Sequence, residues 1–350
     1  MNDSAYGIIP AYLLARLAES GRFPRAADAA RQTLLAGRPT FRARINLSID
    51  EQGDLVAELS DAPNRTISDA QNTETLPGVV VRAEDDPAVD DVSVNEAFDG
   101  LGATFEMLLA AFARNSLDGN GAPLDATVHY GTDYDNAFWD GERMVFGDGD
   151  GEVFLGFTGS ITVIGHELAH GVIQHTANLE YQGQAGALNE SIADVFGALT
   201  EQYAQGQTAD QASWLIGAGI FTEQVQGTAL RSMLEPGTAY DDDELGKDPQ
   251  PAHMRDFVRT TEDNGGVHIN SGIPNRAFAL TATALGGNAW ERAGLTWYNA
   301  LTGGLASTAD FREFADATIA AAVDDEVATA TRAAWTTVGV YEDARRSPTE

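Results

Sequence analysis

The sequence predicts an α+β fold in which a strand-rich N-terminal lobe precedes a helical C-terminal lobe. Two patterns support this prediction. Between residues 41 and 151, short alternating runs of apolar and polar residues are separated by turn residues, which is typical of strands. After Ser160, the pattern is mostly helical to the end of the chain. The 350 residues suggest two or three domains, and a hydrophobic content of 43% is enough to form their cores.

Two short helices are predicted over residues 9 to 37. Four apolar residues recur at helical spacing in the first helix: Ile9, Leu13, Leu14 and Leu17. Residues 26 to 35 are rich in good helix formers, and Gly37 and Pro39 are expected to end the second helix.

The strand-rich region is predicted to follow these helices. Alternating runs such as Arg42 to Leu47 indicate strands and linker between Phe41 and Arg82. A helix is predicted from Asn95 to Asn115. Strand-like segments then extend from Thr127 to Gly151, where the glycine-rich run at 147 to 151 indicates a turn.

The charge balance restricts the kinds of partner. Lys plus Arg number 21 and Asp plus Glu number 53, so the formal net charge is −32. Such a chain repels phosphate backbones and anionic lipids unless it has a local basic patch. The sequence shows no such patch, so neither a nucleic acid nor a membrane is expected as a partner. We interpret the acidity as a highly solvated surface, of the kind that a salty habitat or high-GC codon usage produces.

Cysteine content and the N-terminus restrict the chemistry and the compartment. The chain has no cysteine, so disulfides, thiol nucleophiles and thiolate metal sites are excluded. The N-terminus lacks the basic region and continuous apolar run of a Sec signal, and no apolar run reaches the roughly 18 residues of a membrane span. The expectation is a cytoplasmic protein by default, with secretion by another route left open.

The strongest motif is the run His166-Glu167-Leu168-Ala169-His170, for which Ser160 is a suitable helix N-cap. Residues four apart on a helix differ by about 40° in azimuth, so both imidazoles face one side and can bind a single zinc ion. Chance produces such a match in a chain of this length with a probability of about 1%.

A third ligand is predicted on a second helix. A catalytic zinc ion takes three protein ligands and leaves one position open for water. Glu190 and Asp194 lie one helical turn apart, and Glu190 follows the second histidine of the motif by twenty residues. We therefore assign Glu190 as the third ligand. Asp194 and Asn189 are the candidates that accept the remaining N–H groups of the two histidines.

Four segments together resemble the thermolysin-type zinc endopeptidases: HELAH at 166–170, ALNESIAD at 187–194, DNGGVHINSGIPNRAF at 263–278 and DNAFWDGERMVFGDGDG at 135–151. They occur in the order of that family, and the resemblance is continuous from about residue 66 to 345. The run Gly7-Ile8-Ile9-Pro10 is similar to the brief propeptide of the protealysin branch of the family.

The resemblance implies a role for each residue that matches the family. His166, His170 and Glu190 would be the zinc ligands, and Glu167 the general base that takes a proton from the attacking water. Three other residues would act on the oxyanion: His268 and Tyr181 would donate hydrogen bonds to it, and Asp263 would orient His268.

The resemblance also implies the substrate contacts. Asn136 and Ala137 would bind the peptide, and Arg231 would bind its carbonyl. The pocket after the scissile bond would be lined by Phe154, Phe157, Val163 and Leu230. Because all four are apolar, a preference for a bulky hydrophobic residue on the primed side is expected.

The implied architecture is the two-lobed thermolysin-like fold, with the zinc helix between the lobes and the cleft beside it. Residues 1–50 would form a short helical propeptide that acts as intramolecular inhibitor of an autoprocessed zymogen. Residues 51–160 would form the strand-rich catalytic lobe and residues 161–350 the helical lobe. The expected partners are peptide or protein substrates and the propeptide, and a proteinaceous inhibitor is left open.

Calcium sites of the thermolysin type are not expected. The family's double calcium site uses a carboxylate where this chain has Thr162, and acidic residues in a region where Gln202 to Ala218 contains only Asp210. The acidic run at 148 to 152 does not fit an EF-hand, because Val153 and Gly159 occupy the positions that need Gly and Glu. Calcium remains possible elsewhere, but the stability of the protein is predicted to depend little on it.

Two other functions remain open at this point. The chain could retain residues 1–50 and act as a locked binding or regulatory protein with structural zinc, although structural sites usually use four protein ligands. It could also be an acidic protein that buffers cations, but only the negative net charge supports this alternative. The other three histidines considered are interpreted as structural or surface residues: His129, His175 and His253.

Overall fold

A computed structural model describes residues 7–36 and 62–341, together with two short strands, Ser48–Ile49 (β1) and Leu55–Val56 (β2), which pair antiparallel. The two predicted N-terminal helices are present, as Ala11–Leu17 (α1) and Pro24–Leu35 (α2). The predicted stop at Gly37 and Pro39, the run Arg42 to Leu47 and the lobe boundary at residues 50 and 51 lie outside the described residues.

The strand-rich region forms a mixed five-stranded sheet. Its strands are Arg65–Asp69 (β3), Val79–Ala83 (β4), Leu124–Val128 (β5), Ala137–Trp139 (β6) and Met144–Phe146 (β7). The strand order is β4-β3-β5-β7-β6. The three central strands are parallel, and the two edge strands are antiparallel to their neighbours. Strand β6 thus lies at an edge, where one side of its backbone is not paired within the sheet.

Helix Val92–Phe112 (α3) lies three residues earlier in the chain than predicted at both ends. It begins early because the Asp91 carboxylate accepts hydrogen bonds from the backbone N–H groups of Ser93 and Val94. It ends early because Ala113 adopts the left-handed conformation, with φ of 50°, which stops the helix.

Helices dominate the C-terminal half. They are Ile161–Gln174 (α4), Gly183–Gln205 (α5), Asp263–Asn270 (α6), Gly272–Leu285 (α7), Leu295–Thr302 (α8), Phe311–Ala320 (α9) and Asp325–Thr337 (α10). The rings of Trp297, Trp335 and Phe314 pack in the core between them. None of the helices in the described part of the chain combines the length and apolarity needed to cross a bilayer.

The segment between α5 and α6 departs from the helical pattern. It contains four strands of two residues each: Leu215–Ile216 (β8), Arg231–Ser232 (β9), Asp241–Asp242 (β10) and Gly246–Lys247 (β11). Their pairing is antiparallel, β8 with β9 and β10 with β11. Such short strands produce little periodicity in the sequence, and for this reason the pattern did not show them.

His129 is a structural residue, as predicted. Its Nδ1 lies 2.9 Å from the Asp148 carboxylate and its Nε2 lies 2.9 Å from the Asp91 carboxylate, so the ring joins the start of α3 to the loop after β7. The hydrogen bond to Asp148 is the main cause that raises the pKa of His129 from 6.5 to about 9. The bond to Asp91 adds to this effect, and partial burial opposes it.

We expect His129→Gln to lower stability more at pH 6 than at pH 10. Because folding raises the pKa of His129, its ion pairs stabilise the fold fully below about pH 6.5 and progressively less as the pH rises through 9. After allowance for solvent screening, the difference is on the order of 1 kcal/mol. Urea unfolding at both pH values measures it, with exposed His175→Gln as control. Equal losses at both pH values would contradict the ion pairing.

Candidate metal centre

The centre of the site is the contact between helices α4 and α5. His166 and His170 project from one face of α4, and Glu190 projects from α5. Ser160 holds the N-cap position of α4, but its hydroxyl lies 3.0 Å from that of Thr162 and caps no backbone N–H. The predicted position of Ser160 is thus confirmed, while its side chain does not cap the helix.

The three predicted ligand atoms form a compact triangle. The two Nε2 atoms are 3.2 Å apart, and the Glu190 carboxylate oxygens lie 3.5 Å from Nε2 of His166 and 3.6 Å from Nε2 of His170. A tetrahedral ion with ligands at 2.0–2.1 Å requires separations of about 3.3–3.4 Å. Oε2 of Glu190 is buried and has no hydrogen-bond partner among the described residues, so a cation would satisfy it. This donor set fits zinc.

Neighbouring side chains fix which ring nitrogens face the metal. Nδ1 of His166 lies 2.7 Å from Asp194 Oδ1, and Nδ1 of His170 lies 2.8 Å from Asn189 Oδ1. Each Nδ1–H therefore donates to an oxygen of α5, and each Nε2 is left for the ion. The two sequence-predicted orienting residues thus lie where the prediction needs them.

Asp194 is the centre of a buried network. It accepts hydrogen bonds of 2.9 and 2.8 Å from the Arg231 guanidinium and one of 2.7 Å from Asn275 Nδ2, in addition to the bond from His166. Burial alone would raise the pKa of Asp194, but the charge of Arg231 and the bond from His166 outweigh burial and hold the pKa well below its ordinary value. Asn275 was not predicted, although it lies in the segment 263–278 that carried the resemblance.

Glu167 is fully buried beside the triangle. Its Oε2 accepts a 3.0 Å hydrogen bond from the backbone N–H of Trp139, and its Oε1 has no partner among the described residues. Burial, and then the charge of Glu190, raise the pKa of Glu167 well above its ordinary value. A bound cation would oppose both effects. Oε1 is thus available to a water molecule at the metal.

His268 and Tyr181 lie on the other side of the triangle. Nε2 of His268 is 3.2 Å from the Tyr181 hydroxyl, which donates to Glu190 Oε1. Asp263 Oδ1 lies 2.6 Å from Nδ1 of His268, and Asp263 Oδ2 accepts from its backbone N–H. Burial lowers the pKa of His268, but the charges of Glu190 and Asp263 outweigh burial and raise it to about 9. A bound cation would weaken the effect of Glu190, while Asp263 would still favour the protonated ring, whose Nε2–H can donate a hydrogen bond.

The N-terminal segment lies against these residues. The carbonyl oxygen of Gly7 is 3.2 Å from Nε2 of His268, and Ile8 N–H donates to the carbonyl of Ala137 at 3.0 Å. Arg231 Nη1 donates to the Ile8 carbonyl at 3.2 Å. Ala137 belongs to edge strand β6, whose unpaired backbone side can bind an extended peptide.

The contact continues at Ile9. Its N–H donates to Asn136 Oδ1 at 2.9 Å, and its carbonyl accepts from Asn136 Nδ2 at 3.2 Å. Ile8 is fully buried in the same apolar core cluster as the four predicted pocket residues: Phe154, Phe157, Val163 and Leu230. Asn136, Ala137 and Arg231 are thus brought together, and they bind the start of the same chain.

The structure also describes the two regions in which the family has its double calcium site. Thr162 is buried, and its hydroxyl accepts a 2.9 Å hydrogen bond from the backbone N–H of Gly217. Asp210 is exposed and accepts from the Thr208 hydroxyl. A neutral hydrogen bond therefore occupies the position where the family has a carboxylate, and the weak calcium dependence stays a prediction.

His175 is exposed, and His253 Nδ1 accepts from Arg255 N–H, which agrees with their structural or surface interpretation.

A buried His₂Glu triangle, with a carboxylate and a histidine held by Asp263 beside it and a peptide-binding edge strand, defines a zinc metalloendopeptidase. Models of the thermolysin metallopeptidase family match residues 37–174 as its catalytic domain and residues 177–340 as its alpha-helical domain. The chain belongs to this thermolysin family, and the predicted sheet-rich and helical arrangement is confirmed.

Several relatives are similar over most of the chain. An extracellular metalloprotease of Pectobacterium carotovorum subsp. carotovorum is 54% identical over 79% of this chain and 81% of its own length. Protease PrtS of Photorhabdus sp. (strain Az29) is 52% identical over 84% of this chain and 80% of its own. The solved precursor of protealysin from Serratia proteamaculans is 50% identical, with a TM-score of 0.87 over 96% of this chain and all of that one. The protealysin-like branch is thereby confirmed.

Proposed function

We propose that the chain is an autoprocessed zymogen in which residues 1–50 form a propeptide and intramolecular inhibitor. The observation that carries this proposal is the binding of Gly7 to Ile9 to the residues that contact peptide substrates in this family. A substrate cannot form the same hydrogen bonds while the segment occupies them. The similarity to a protealysin precursor supports the same proposal.

The other described residues of the N-terminal segment also contact the part of the chain that contains the metal site. Arg25 forms an ion pair with Asp133, with contacts of 3.0 and 2.6 Å. The Glu152 carboxylate accepts from the backbone N–H groups of Arg25 and Ala26 in the first turn of α2, where a negative charge is favoured. Thr33 accepts a 3.0 Å hydrogen bond from Asp135 N–H. These polar contacts surround apolar residues of α1 and α2 that belong to the common core.

In the mature enzyme the residues around the metal centre would have separate roles in peptide hydrolysis. Zinc, held by His166, His170 and Glu190, would polarise the scissile carbonyl and lower the pKa of the attacking water. Glu167 would take the proton of that water and deliver it to the leaving nitrogen. His268 would donate a hydrogen bond to the developing oxyanion, with its ring held by Asp263.

We further propose a preference for bulky hydrophobic residues on the primed side. Ile8, whose carbonyl is bound by Arg231, is fully buried, and Phe154, Phe157, Val163 and Leu230 belong to the same extended hydrophobic core. A buried apolar pocket favours an aliphatic or aromatic side chain by a few kcal/mol over a charged one. We therefore expect new N-termini that begin with Leu, Ile, Val or Phe.

A single incubation tests the zymogen and the preference. The full chain and its Glu167→Ala variant are incubated with zinc and a denatured protein, and the intact chains and fragments are analysed by mass spectrometry. We expect the wild-type chain alone to be shortened near residue 50 and to produce fragments with hydrophobic N-termini. If wild type and variant both remain at full length, and neither produces fragments of the denatured protein even after an added protease has then removed the N-terminal segment, the proposal is wrong and a locked protein is favoured.

A further inference from the structure

The N-terminal segment extends along the cleft past His268 and the three residues that are predicted to bind a peptide. The Gly7 carbonyl lies next to His268. The Ile8 N–H donates to the Ala137 carbonyl, and the Ile8 carbonyl accepts from Arg231. Both backbone groups of Ile9 form hydrogen bonds with the Asn136 side chain. The peptide bond between Gly7 and Ile8 therefore lies between His268, which is next to the metal triangle, and strand β6, whose Trp139 N–H is bound by Glu167.

We propose that the Gly7–Ile8 bond is itself hydrolysed by the enzyme, so that the chain loses its first seven residues while the rest of the propeptide stays bound. This inference rests on the proposed function. It goes beyond it because it assigns a second self-cleavage, separate from the removal of the propeptide near residue 50. Two features of the described residues support it: the atoms placed around this bond and the residue type at position 7.

Once zinc and a water molecule are bound, the groups around this bond would suffice for hydrolysis. Glu167 takes a proton from a water molecule as the water oxygen bonds to the Gly7 carbonyl carbon, and the carbonyl oxygen is held by His268. The bond from that carbon to Ile8 N then breaks. Its electron pair stays on the nitrogen, which takes the proton from Glu167. The products are a peptide acid that ends at Gly7 and a chain that begins with the amine of Ile8.

Glycine at position 7 selects this bond. A Cβ atom at this position would lie 2.8 Å from the carbonyl oxygen of Ala137 and 2.8 Å from the side-chain amide atoms of Asn136. Neither neighbour moves easily, because Ala137 is part of strand β6 and the Asn136 amide is bound at both ends by Ile9. A larger residue at position 7 would have to shift the segment away from Ala137 and Asn136, so the sequence Gly-Ile-Ile is the one that fits this close position.

The shortened chain is expected to remain inhibited. The contacts of Arg231 with the Ile8 carbonyl and of Asn136 with Ile9 lie on the retained side of the bond, and so do helices α1 and α2. The new N-terminus would therefore stay in the cleft as a bound product. Loss of seven residues should precede the loss of about fifty, because the second event requires the cleft to be emptied.

The test follows the N-terminus of the full chain after addition of zinc. Wild type, Glu167→Gln, Gly7→Val and the control Gly21→Val are compared by intact mass and by the identity of the first residue. Gly21 is exposed and a Cβ there would meet nothing within 4 Å, so this control makes the same change without a clash. We expect an early product that begins at Ile8 in wild type and in Gly21→Val only.

A second measurement needs neither zinc nor turnover. In a Glu167→Gln background, amide hydrogen exchange at Ile8 and Ile9 reports whether the segment is seated. We expect exchange to become about tenfold faster or more with Gly7→Val and to stay unchanged with Gly21→Val. Unchanged exchange in Gly7→Val would show that glycine does not set the register, and would overturn the inference.

The outcomes separate this inference from the proposed function. If the wild type cleaves added peptides and itself near residue 50, but no chain ever begins at Ile8, the inference is wrong and the zymogen stands. If Glu167→Gln also loses seven residues, an outside protease makes the cut and the inference is again wrong. If no bond of the chain or of an added peptide is cut, the proposed function itself fails.

Discussion

Replacing Glu167 by glutamine is expected to lower peptide hydrolysis by about 10²- to 10⁴-fold while one zinc ion per chain stays bound. The amide has the shape of the carboxylate, and its oxygen can still accept the hydrogen bond from Trp139 N–H. It cannot take a proton from water, which is the step that the unpartnered Oε1 of Glu167 is placed to perform. His166, His170 and Glu190, which make the metal triangle, are unchanged.

Two measurements on the same samples decide this prediction. Zinc stoichiometry is determined for wild type and variant, and peptide turnover is measured after one external protease has removed the N-terminal segment from both. Glu106→Gln makes the same chemical change on an exposed position of α3 and should leave turnover unaltered. A variant at position 167 that keeps near wild-type turnover would refute the general-base assignment. Loss of zinc would instead show that Glu167 supports the metal site.

The centre of the site could be predicted because its spacing is local. His166 and His170 are one helical turn apart, and so are Glu190 and Asp194, so that helix geometry alone places each pair on one face. The packing of α4 on α5 then brings the two pairs together. Neither relation depends on the details of the remaining fold.

The contacts that complete the site could not be predicted in this way. Glu167 accepts from the backbone N–H of Trp139, and a backbone donor leaves no trace in the residue type. Asn275 reaches Asp194 across 81 positions of sequence, and only the packing of α7 near α5 makes the contact. The register of Gly7 and Ile8 likewise depends on the position of edge strand β6, although the resemblance identified the segment.

The fold likewise has features that could be predicted and features that could not. The ends of α3 and the short strands after α5 are examples. A helix was predicted in the region of α3, but its ends are set by the Asp91 cap and by the left-handed backbone of Ala113. Alanine has no preference for that conformation, so the sequence contained no signal for the stop. Strands β8 and β9 are too short for alternation to be visible, and their pairing positions Arg231 next to Asp194.

The second large effect is expected for Asp194→Asn, which should weaken zinc binding by about 10- to 100-fold and destabilise the protein by about 3–5 kcal/mol. Asp194 accepts from three buried donors, His166, Arg231 and Asn275. An amide has one oxygen for them and turns its NH₂ group towards the others. The Arg231 guanidinium, which is 3% exposed, would be left without a counter-charge.

Zinc affinity is measured by competition with a chelator, and stability by urea unfolding of the zinc-free full chain. Asp99→Asn, on an exposed position of α3, is the matched control and should change neither. A variant at position 194 that matches wild type in both measurements would show that the network does not orient His166. The two effects are expected together, because one carboxylate serves both the histidine and the arginine.

A second substitution separates these two roles of Asp194. Adding Arg231→Met to Asp194→Asn removes the buried charge that the first change leaves unpaired, so part of the lost stability should return. The zinc affinity should not return, because His166 Nδ1 still lacks the carboxylate that holds the ring with Nε2 towards the metal. If both quantities recover, the weaker zinc binding came from general destabilisation. If only stability recovers, Asp194 acts on the metal through the orientation and basicity of His166.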